Sequence, residues 1–462
     1  MFRQGQRRAS SIAVGLILAA LIVARWPTLG AVGALRSAPG TPGVQEHGRL
    51  ASISPHLWAE MEARGEADFL VVLREQADLS GAARFPNKEA KVRFVFETLR
   101  AVARRSQAPL IGFLRARGVP YRAFYLVNML KVHGDREVLL ELAARPEVAR
   151  LEPNPRVRVV LPPPPYRAAA QLQMQMKDSL PWGIERIHAD DVWAMGIQGD
   201  GAVVAGNDTG IAWEHEALKE RYRGWDGQQA HHDRNWHDAI NDEPIPYDDH
   251  GHGTFTLGIA VGEGQDEPIG VAPGARWIGC KNMDGAGVGS PASYIECFEF
   301  FLAPYPHGGD PMTDGDPALA PDVVNNSWYC PPAEGCEPDT LQAAVETLRA
   351  AGIVVVTSAG NSGPACSSVK DPPEIYDAAF SVGAFAQGDT IANFSSRGPV
   401  TVDGSGRLKP DVAAPGVGVR SCAHNGGYSY GSGTSMAAPH VTGLVALMPV
   451  SYTHLRAHET RH

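Results

Sequence analysis

The first part of the chain alternates between strand-like and helix-like spacings of its hydrophobic residues. Ala67–Glu75 is an apolar run typical of a strand, and Asn87–Gly118 repeats apolar residues at helical spacing. A second strand region, a second helix and a last strand follow over Arg122–Gly134, Asp135–Pro146 and Val148–Val160. The order strand, helix, strands, helix, strand predicts a small ferredoxin-like α+β domain over residues 67–160.

From about Pro181 the pattern changes to short apolar runs, each followed by a loop or a helix. These runs are Gly201–Ile211, Ala275–Met283, Asp322–Trp328, Gly352–Asn361 and Ala378–Phe385. Strands that alternate with helices predict an α/β domain, over residues 181–448, with a parallel sheet and helices on both faces. In such sheets, functional residues collect at the carboxyl ends of the strands.

Residues 161–180, between these two regions, have no packing pattern. The segment contains four consecutive prolines, Pro162–Pro165, which keep a chain stiff and extended, and its remainder is polar and unpatterned. We interpret it as a linker that is open to proteolytic cutting.

The N-terminus has the layout of a cleaved secretory signal. Three arginines precede the apolar run Ile12–Ala24, and small residues follow at Gly30–Ala34. The run is shorter than the roughly 20 residues of a membrane span, and no later run is long and apolar enough. We predict a signal peptide over residues 1–34, an extracellular protein and no stable membrane association after cleavage, with an uncleaved anchor as the alternative.

Charge is divided unevenly along the chain. Residues 1–180 carry 26 Lys and Arg against 15 Asp and Glu, a charge of +11, whereas residues 181–448 carry 13 against 35, a charge of −22. We expect the two parts to attract each other, unless both are simply solvated surfaces. So acidic a segment also argues against nucleic acid as a partner.

All six cysteines lie after residue 279, and none are spaced as in a CxxC metal site. In an exported chain this favours disulfide bonds. Cys330 and Cys336 are near enough in sequence to close a small loop, while the other pairings cannot be read.

One serine in the segment YGSGTSMAAPHVTGLVALM is placed for nucleophilic chemistry. Ser435 stands where an apolar helix begins, so free amides and the helix dipole would face an oxyanion there. A serine attacks a carbonyl only with a general base, an acid that orients this base, and oxyanion donors. Taken alone, Ser435 is equally well explained as a helix N-cap.

Three other polar residues stand at the predicted strand ends or just after a turn. Asp208 and Asn361 follow apolar runs, and His252 opens a helix after a glycine-rich turn. Because carboxyl ends of parallel strands share one edge, we expect these groups to meet. His250 competes with His252 as the base, and we interpret His440 as a structural helix residue.

The motifs NDTGI, HGTFT, SAGN and GTSMAAPHV resemble those of the subtilisin-like serine proteases, and NNSW and SSRGP are closer to the bacillopeptidase F-like branch. The resemblance implies the subtilisin α/β fold and a secreted serine endopeptidase that needs no cofactor for its chemistry. By this resemblance Asp208 orients His252, His252 takes the proton of Ser435, and Asn361 donates to the oxyanion. Two alternatives stay open, a Ser-Glu-Asp peptidase of sedolisin type and a catalytically dead or truncated relative that acts as a binding protein.

The resemblance also implies a set of substrate-binding residues, namely Ser327, Trp328, Tyr329, Ala359 and Gly360. The segment NNSWYC is expected to be the cleft-edge strand that pairs with substrate backbone, with core packing as the alternative role of Trp328. Asn207 departs from the family pattern, because it places a polar group late in a buried strand.

By the same resemblance, residues 67–160 are an inhibitory propeptide that assists folding, occupies the cleft and is cut off in the linker 161–180. The expected partners are therefore protein or peptide substrates and the chain's own propeptide. Structural calcium is implied at an unknown site. The acidic segments Asn241–Asp249 and Asp248–His250 match no defined calcium loop, and we interpret them as solvated surface.

The last segment departs from the family pattern. Pro449 is expected to break the helix that contains Ser435, and the residues after it are polar and unpatterned. We expect residues 449–462 to be a non-native tail, with a genuine disordered tail as the alternative.

Overall fold

The computed structural model describes residues 51–159, 180–264 and 269–459, and for residues 449–459 it describes the backbone alone. The predicted signal peptide lies outside these residues, as does the linker 161–180 except for Leu180. Within the described ranges, no helix is long and apolar enough to cross a membrane.

The N-terminal domain, residues 51–159, is a five-stranded sheet packed against helices. Its strands are β1 (Ser52–Ile53), β2 (Glu66–Leu73), β3 (Tyr121–Phe124), β4 (Met129–Asp135) and β5 (Val148–Pro153). Its helices are α1 (Pro55–Arg64), α2 (Lys88–Arg117) and α3 (Arg136–Ala143). The sheet order is β1-β5-β2-β4-β3, and the elements from β2 to β5 follow the predicted ferredoxin-like order.

This domain begins earlier than the predicted residue 67. Strand β1 pairs with β5 in parallel, and Leu57 and Met61 of α1 are buried in the domain core. A strand of two residues is too short to leave an alternating hydrophobic pattern, which is why the sequence did not reveal it.

The larger domain is built on an eight-stranded, mostly parallel sheet. After β6 (Val157–Arg158), the strands are β7 (Val203–Asp208), β8 (Trp236–Asp238), β9 (Arg276–Lys281), β10 (Val288–Gly289), β11 (Val323–Asn326), β12 (Val354–Ser358), β13 (Phe380–Ala386), β14 (Thr390–Ile391), β15 (Val412–Pro415), β16 (Val419–Cys422) and β17 (Tyr428–Gly431). The order is β14-β13-β12-β11-β7-β9-β8, with β15 paired to β13, and the ribbons β6–β10 and β16–β17 lie outside this sheet.

Helices cover both faces of the sheet. They are α4 (Trp182–Arg186), α5 (Ala189–Trp193), α6 (His252–Val261), α7 (Pro291–Leu302), α8 (Pro311–Asp314), α9 (Gln342–Ala350) and α10 (Thr434–Glu459). Alternate residues of β11 enter different cores, because Val324 packs in the cluster that contains α7 and α9, and Val323 in the cluster that contains α6 and α10. The predicted α/β sheet with helices on both faces is confirmed.

Two details of this domain bear on the sequence predictions. Strand β11 ends at Asn326 and pairs with β12 on one side and β7 on the other, so the pairing of NNSWYC with substrate backbone stays a prediction for the residues after Asn326. Helix α10 runs on past Pro449 to Glu459, although a break was expected. A proline removes one backbone donor from a helix, but the residues after it can still make their own bonds.

The cysteine pairing agrees with the sequence where the sequence allowed an expectation. Cys330 and Cys336 close the predicted small loop, and a second disulfide joins Cys280 of β9 to Cys297 of α7. Cys366, which is exposed, and Cys422, which is buried, are free thiols.

Candidate active site

The carboxyl end of β7 and the start of α6 bring Asp208 and His252 together. His252 Nδ1 lies 2.8 Å from Asp208 Oδ1, and both side chains are only 2% exposed. Burial disfavours the charged imidazole, but the charge of Asp208 and its hydrogen bond outweigh this and raise the pKa of His252 above its usual 6.5. This pairing fixes the ring and leaves Nε2 as the nitrogen available for proton transfer.

The turn before His252 is held by the buried carboxylate of Asp248. Its Oδ1 accepts hydrogen bonds from the backbone N–H of Gly251 (2.7 Å) and the hydroxyl of Thr209 (3.0 Å). Its Oδ2 accepts from the backbone N–H (2.9 Å) and the hydroxyl (2.6 Å) of Thr254. The interpretation of Asp248 as solvated surface is therefore wrong, because its carboxylate ties the end of β7 to the start of α6.

The competing histidines have different surroundings. His250 is half-buried with its ring centroid 6.2 Å from that of His252, and burial and then the charge of His252 lower its pKa. His440 is buried in α10, where Nδ1 lies 2.8 Å from the carbonyl oxygen of Met436, and burial lowers its pKa to about 4. Asp208 thus pairs with His252 and not with His250.

Ser435 is the second residue of α10, in the turn whose amides have no partner inside the helix. Its Oγ donates to the carbonyl oxygen of Ser327 at 3.2 Å, and its own carbonyl accepts from Ser327 Oγ at 3.1 Å. His252 Nε2 is buried and has no hydrogen-bond partner among the described residues. In this conformation the serine hydroxyl therefore bonds to Ser327 rather than to the imidazole.

Asn361 follows β12 and is oriented by the residue before Ser435. Its Oδ1 accepts from the backbone N–H of Thr434 at 3.0 Å and from the hydroxyl of Thr434 at 2.9 Å. These two bonds hold the Asn361 side chain at the start of α10 by its amide oxygen. Its amide nitrogen, Nδ2, is the donor end of the same group.

The predicted substrate-binding residues differ in exposure. Ser327 and Ala359 are buried, and Gly360 has a φ of 85°, a left-handed conformation that favours glycine. Trp328 stacks on Tyr294 with ring centroids 3.8 Å apart and donates Nε1 to the backbone oxygen of Asn207. The side chain of Trp328 therefore packs in the core, while Tyr329 is half-buried.

Behind the site, Asn207 is bonded to two further buried asparagines that were not predicted from the sequence. Asn207 Nδ2 donates to Asn326 Oδ1 at 2.9 Å, and Asn282 Nδ2 donates to Asn207 Oδ1 at 2.7 Å. Asn326 in turn donates to the backbone oxygen of Val356. These bonds satisfy the polar group that Asn207 places in β7, and the signal in the sequence is an asparagine near the end of each of three separate apolar runs.

The end of the N-terminal domain lies along the edge of the site. Strand β6 pairs antiparallel with β10, and the backbone N–H of Val159 donates to the oxygen of Gly287 at 2.8 Å. A Cβ placed on Gly287 would lie 2.6 Å from Val159 Cγ1 and 3.2 Å from His250 Nε2. Strand β10 therefore offers an edge that pairs with a further chain segment, close to the turn that precedes His252.

Comparison with known proteins gives the family. Residues 199–462 match the model of the subtilase family. The chain belongs to the subtilase family. This subtilase is 32% identical to bacillopeptidase F of Bacillus subtilis (strain 168), over 96% of the chain and 32% of that protein. Subtilisin DY of Bacillus licheniformis is 32% identical over 61% of the chain and 89% of its own length.

The serine protease AprX of Bacillus subtilis (strain 168) is 32% identical, over 60% of this subtilase and 64% of AprX. The chain thus spans about a third of the length of bacillopeptidase F and just under two thirds of AprX. The expected resemblance to subtilisin-like proteases, close to the bacillopeptidase F branch, is confirmed. Among the described residues, no group of three or more His, Cys, Asp or Glu could hold a metal ion.

Proposed function

We propose that this subtilase is a secreted serine endopeptidase, made as a proenzyme, that hydrolyses peptide bonds through an acyl-enzyme. The observation that carries the proposal is the buried pair His252–Asp208, with 2.8 Å between Nδ1 and Oδ1, in a chain that belongs to the subtilase family. A buried acid bound to one imidazole nitrogen holds the other as a general base for a hydroxyl.

In the proposed reaction, Ser435 exchanges its bond to Ser327 for one to His252 Nε2. The imidazole takes the hydroxyl proton as Oγ attacks the scissile carbonyl, and Asp208 stabilises the imidazolium that forms. The imidazolium then gives its proton to the leaving amine. Water, activated by the same base, hydrolyses the acyl-enzyme and restores the serine.

Asn361 and the backbone N–H of Ser435 are the proposed donors to the oxyanion. We expect Asn361→Ala to lower kcat by about 10²–10³-fold with little change in KM, a magnitude known from a subtilisin. The exposed Asn241, which bonds to Tyr247, provides the control Asn241→Ala, with kcat unchanged. Steady-state kinetics on one peptide substrate measures both variants, and equal kcat values would contradict the role of Asn361.

The N-terminal domain is the proposed propeptide, cut from the enzyme within residues 161–180. It shares one hydrophobic cluster with the larger domain, in which Val95 and Leu126 pack with Phe298 and Val345. The expected attraction between unlike charges is represented by the ion pairs Lys88–Asp322 (2.7 Å), Arg122–Glu296 (2.9 Å) and Arg156–Asp284 (3.3 Å). Since ion pairs that stay partly exposed to water contribute little, the apolar cluster is the larger part of this interface.

Glu299 is a buried contact between the two domains. One carboxylate oxygen accepts from the backbone N–H groups of Tyr125 (2.7 Å) and Leu126 (3.1 Å). Burial raises the pKa of Glu299 to about 7, against the opposing effect of these N–H groups and of Arg122. The carboxyl is therefore a specific acceptor for the proposed propeptide.

We expect Glu299→Ala to weaken propeptide inhibition by about 10–100-fold, because two buried N–H groups lose their acceptor. In the full chain, the lag between self-cleavage and the appearance of peptidase activity should then be shorter. The activity is compared at equal amounts of cleaved protein. Glu263→Ala, which removes an ion pair with Arg221 inside the larger domain, is the control and should keep the wild-type lag. Equal lags for the two variants would argue against Glu299 as an inhibitory contact.

A catalytically dead binding protein is the second candidate. The bond from Ser435 Oγ to Ser327, in place of one to His252, favours it. A fluorophosphonate probe separates the two, since it labels only a serine that is activated by its base. A sedolisin-type enzyme has no comparable support, because the partner of Asp208 is an imidazole.

A further inference from the structure

Two buried carboxyl groups lie beside the proposed site, and the proposed acyl transfer does not use them. Glu374 is fully buried, and Asp371 is 3% exposed. Among the described residues, neither oxygen of Glu374 has a hydrogen-bond partner of normal geometry, nor does Oδ1 of Asp371. The positive charge that acts on both carboxyls is that of Lys370, whose side chain is exposed.

Glu374 lies against the segment that carries Asn361. A Cβ placed on Gly360 would lie 2.8 Å from Oε1 and 3.3 Å from Oε2 of Glu374, so the carboxyl touches the backbone of the residue before Asn361. Both Ala359 and Gly360 belong to the predicted substrate-binding residues. The carboxyl of Glu374 therefore adjoins the predicted substrate-binding segment that ends in the proposed oxyanion donor.

The other predicted substrate-binding residues, Ser327, Trp328 and Tyr329, are joined to the loop that carries Asp371 and Glu374. The backbone N–H of Cys330 donates to the carbonyl oxygen of Pro372 at 2.7 Å, which ties the residues after Ser327 to the loop that carries both acids. Burial, followed by the charges of Glu374 and Asp371, raises the pKa of the Tyr329 hydroxyl. Both acids therefore act electrostatically on Tyr329 as well.

An unpartnered carboxyl is costly to bury, and a cation that pairs with it offsets part of this cost. Burial raises the pKa of Glu374 well above its usual value, and raises that of Asp371 to about 6. The charge of Lys370 opposes both shifts, and the backbone N–H groups of Asp371 and Lys370 oppose that of Glu374, but burial outweighs them. Buried carboxyl oxygens without a hydrogen bond of normal geometry, next to predicted substrate-binding residues, are available to a cationic ligand.

We propose that Glu374 and Asp371 form the floor of the pocket for the substrate side chain on the acyl side of the scissile bond (P1), and that this pocket selects arginine or lysine. The inference rests on the proposed peptidase function and adds its substrate class. A long basic side chain would place its aliphatic stem between the two predicted substrate-binding segments, at Ser327–Tyr329 and Ala359–Gly360, and its cation on the carboxyls. A leucine would leave both acids unpaired, and a glutamate would be repelled.

Matched peptide substrates that differ only at P1, with Arg, Lys, Leu or Glu, test this with the full chain. We expect kcat/KM for Arg and Lys to exceed that for Leu by about 10²-fold or more, with Glu the poorest substrate. Glu374→Gln should lower the Arg-to-Leu ratio about 10-fold or more while kcat/KM for Leu does not fall. The control Glu346→Gln, at an exposed position of α9, should keep the wild-type ratio.

Thermal unfolding checks that Glu374→Gln is folded, which we expect because glutamine has the shape of the protonated acid; Asp371→Asn is the second variant. Two results would overturn the basic pocket and leave the peptidase function standing, provided that the fluorophosphonate labels Ser435. One is equal cleavage of the Leu and Arg substrates, and the other is an Arg-to-Leu ratio that Glu374→Gln does not change.

If Ser435 is not labelled, the peptidase function fails, and calorimetry with benzamidine as the cation tests the pocket alone. Binding that Glu374→Gln abolishes supports the pocket, and the absence of binding overturns it.

Discussion

Replacing Ser435 with alanine is expected to lower kcat by about 10⁶-fold, the loss known from removal of the nucleophile of a subtilisin. The remaining rate would come from substrate binding and from the donors Asn361 and the Ser435 backbone. The protein should stay folded, because the hydroxyl makes one hydrogen bond, to the carbonyl of Ser327, at the start of a helix that is otherwise unchanged. Steady-state kinetics and fluorophosphonate labelling measure the loss.

The same variant tests the proposed self-maturation. Without its nucleophile, the chain cannot cut within residues 161–180, so mass spectrometry should find the N-terminal domain still attached. Ser405→Ala, in an exposed loop, is the control and should be labelled, cut and active like the wild type. Peptidase activity or labelling that survives in Ser435→Ala would remove Ser435 from the proposed mechanism.

Much of the candidate site could be predicted because its side chains stand at the ends of strongly patterned elements. Asp208 ends β7 and His252 begins α6, and the two meet as expected at the carboxyl edge of the sheet. Asn361 follows β12 and reaches the first residue of α10, as the shared edge of a parallel sheet predicts. Local pattern and the topology of a parallel sheet together carry this information.

The parts that could not be predicted depend on contacts between segments far apart in sequence. Asp248 was interpreted as solvated, yet it joins Thr209 to Thr254, because burial is decided by what packs around a residue. Glu374 shows no pattern in the sequence, and its position against Gly360 follows only from the folded loop. A rotamer such as that of Ser435 leaves no signal in a sequence.

Strands of two residues could not be predicted from the sequence either. The two-residue strands β6 and β10 pair where the N-terminal domain meets the edge of the site, whereas the sequence placed that edge in NNSWYC. Two residues give no alternation of polar and apolar positions, so only the pairing partner defines such a strand. We therefore propose the edge of β10 for substrate backbone, in addition to the predicted segment NNSWYC.

Asp208→Asn is expected to lower kcat by about 10⁴-fold while the protein stays folded. An asparagine can donate to Nδ1 of His252, which favours the tautomer with the proton on Nε2, and such an imidazole cannot accept the proton of Ser435. The variant also removes the charge of Asp208 that raises the pKa of His252, so burial, which lowers this pKa, is opposed only by the charge of Asp248. The two effects can be measured separately.

The pH dependence of kcat/KM gives the sign of the second effect. In the wild type, His252 is protonated below its raised pKa, so the rate should fall as the pH drops through a value above 6.5. In Asp208→Asn the small remaining activity should fall only at lower pH. Asp226→Asn removes an exposed pair with His231, 3.1 Å long, and should change neither kcat nor the profile. A profile that Asp208→Asn leaves in place would show that the charge of Asp208 does not set the pKa of the catalytic base.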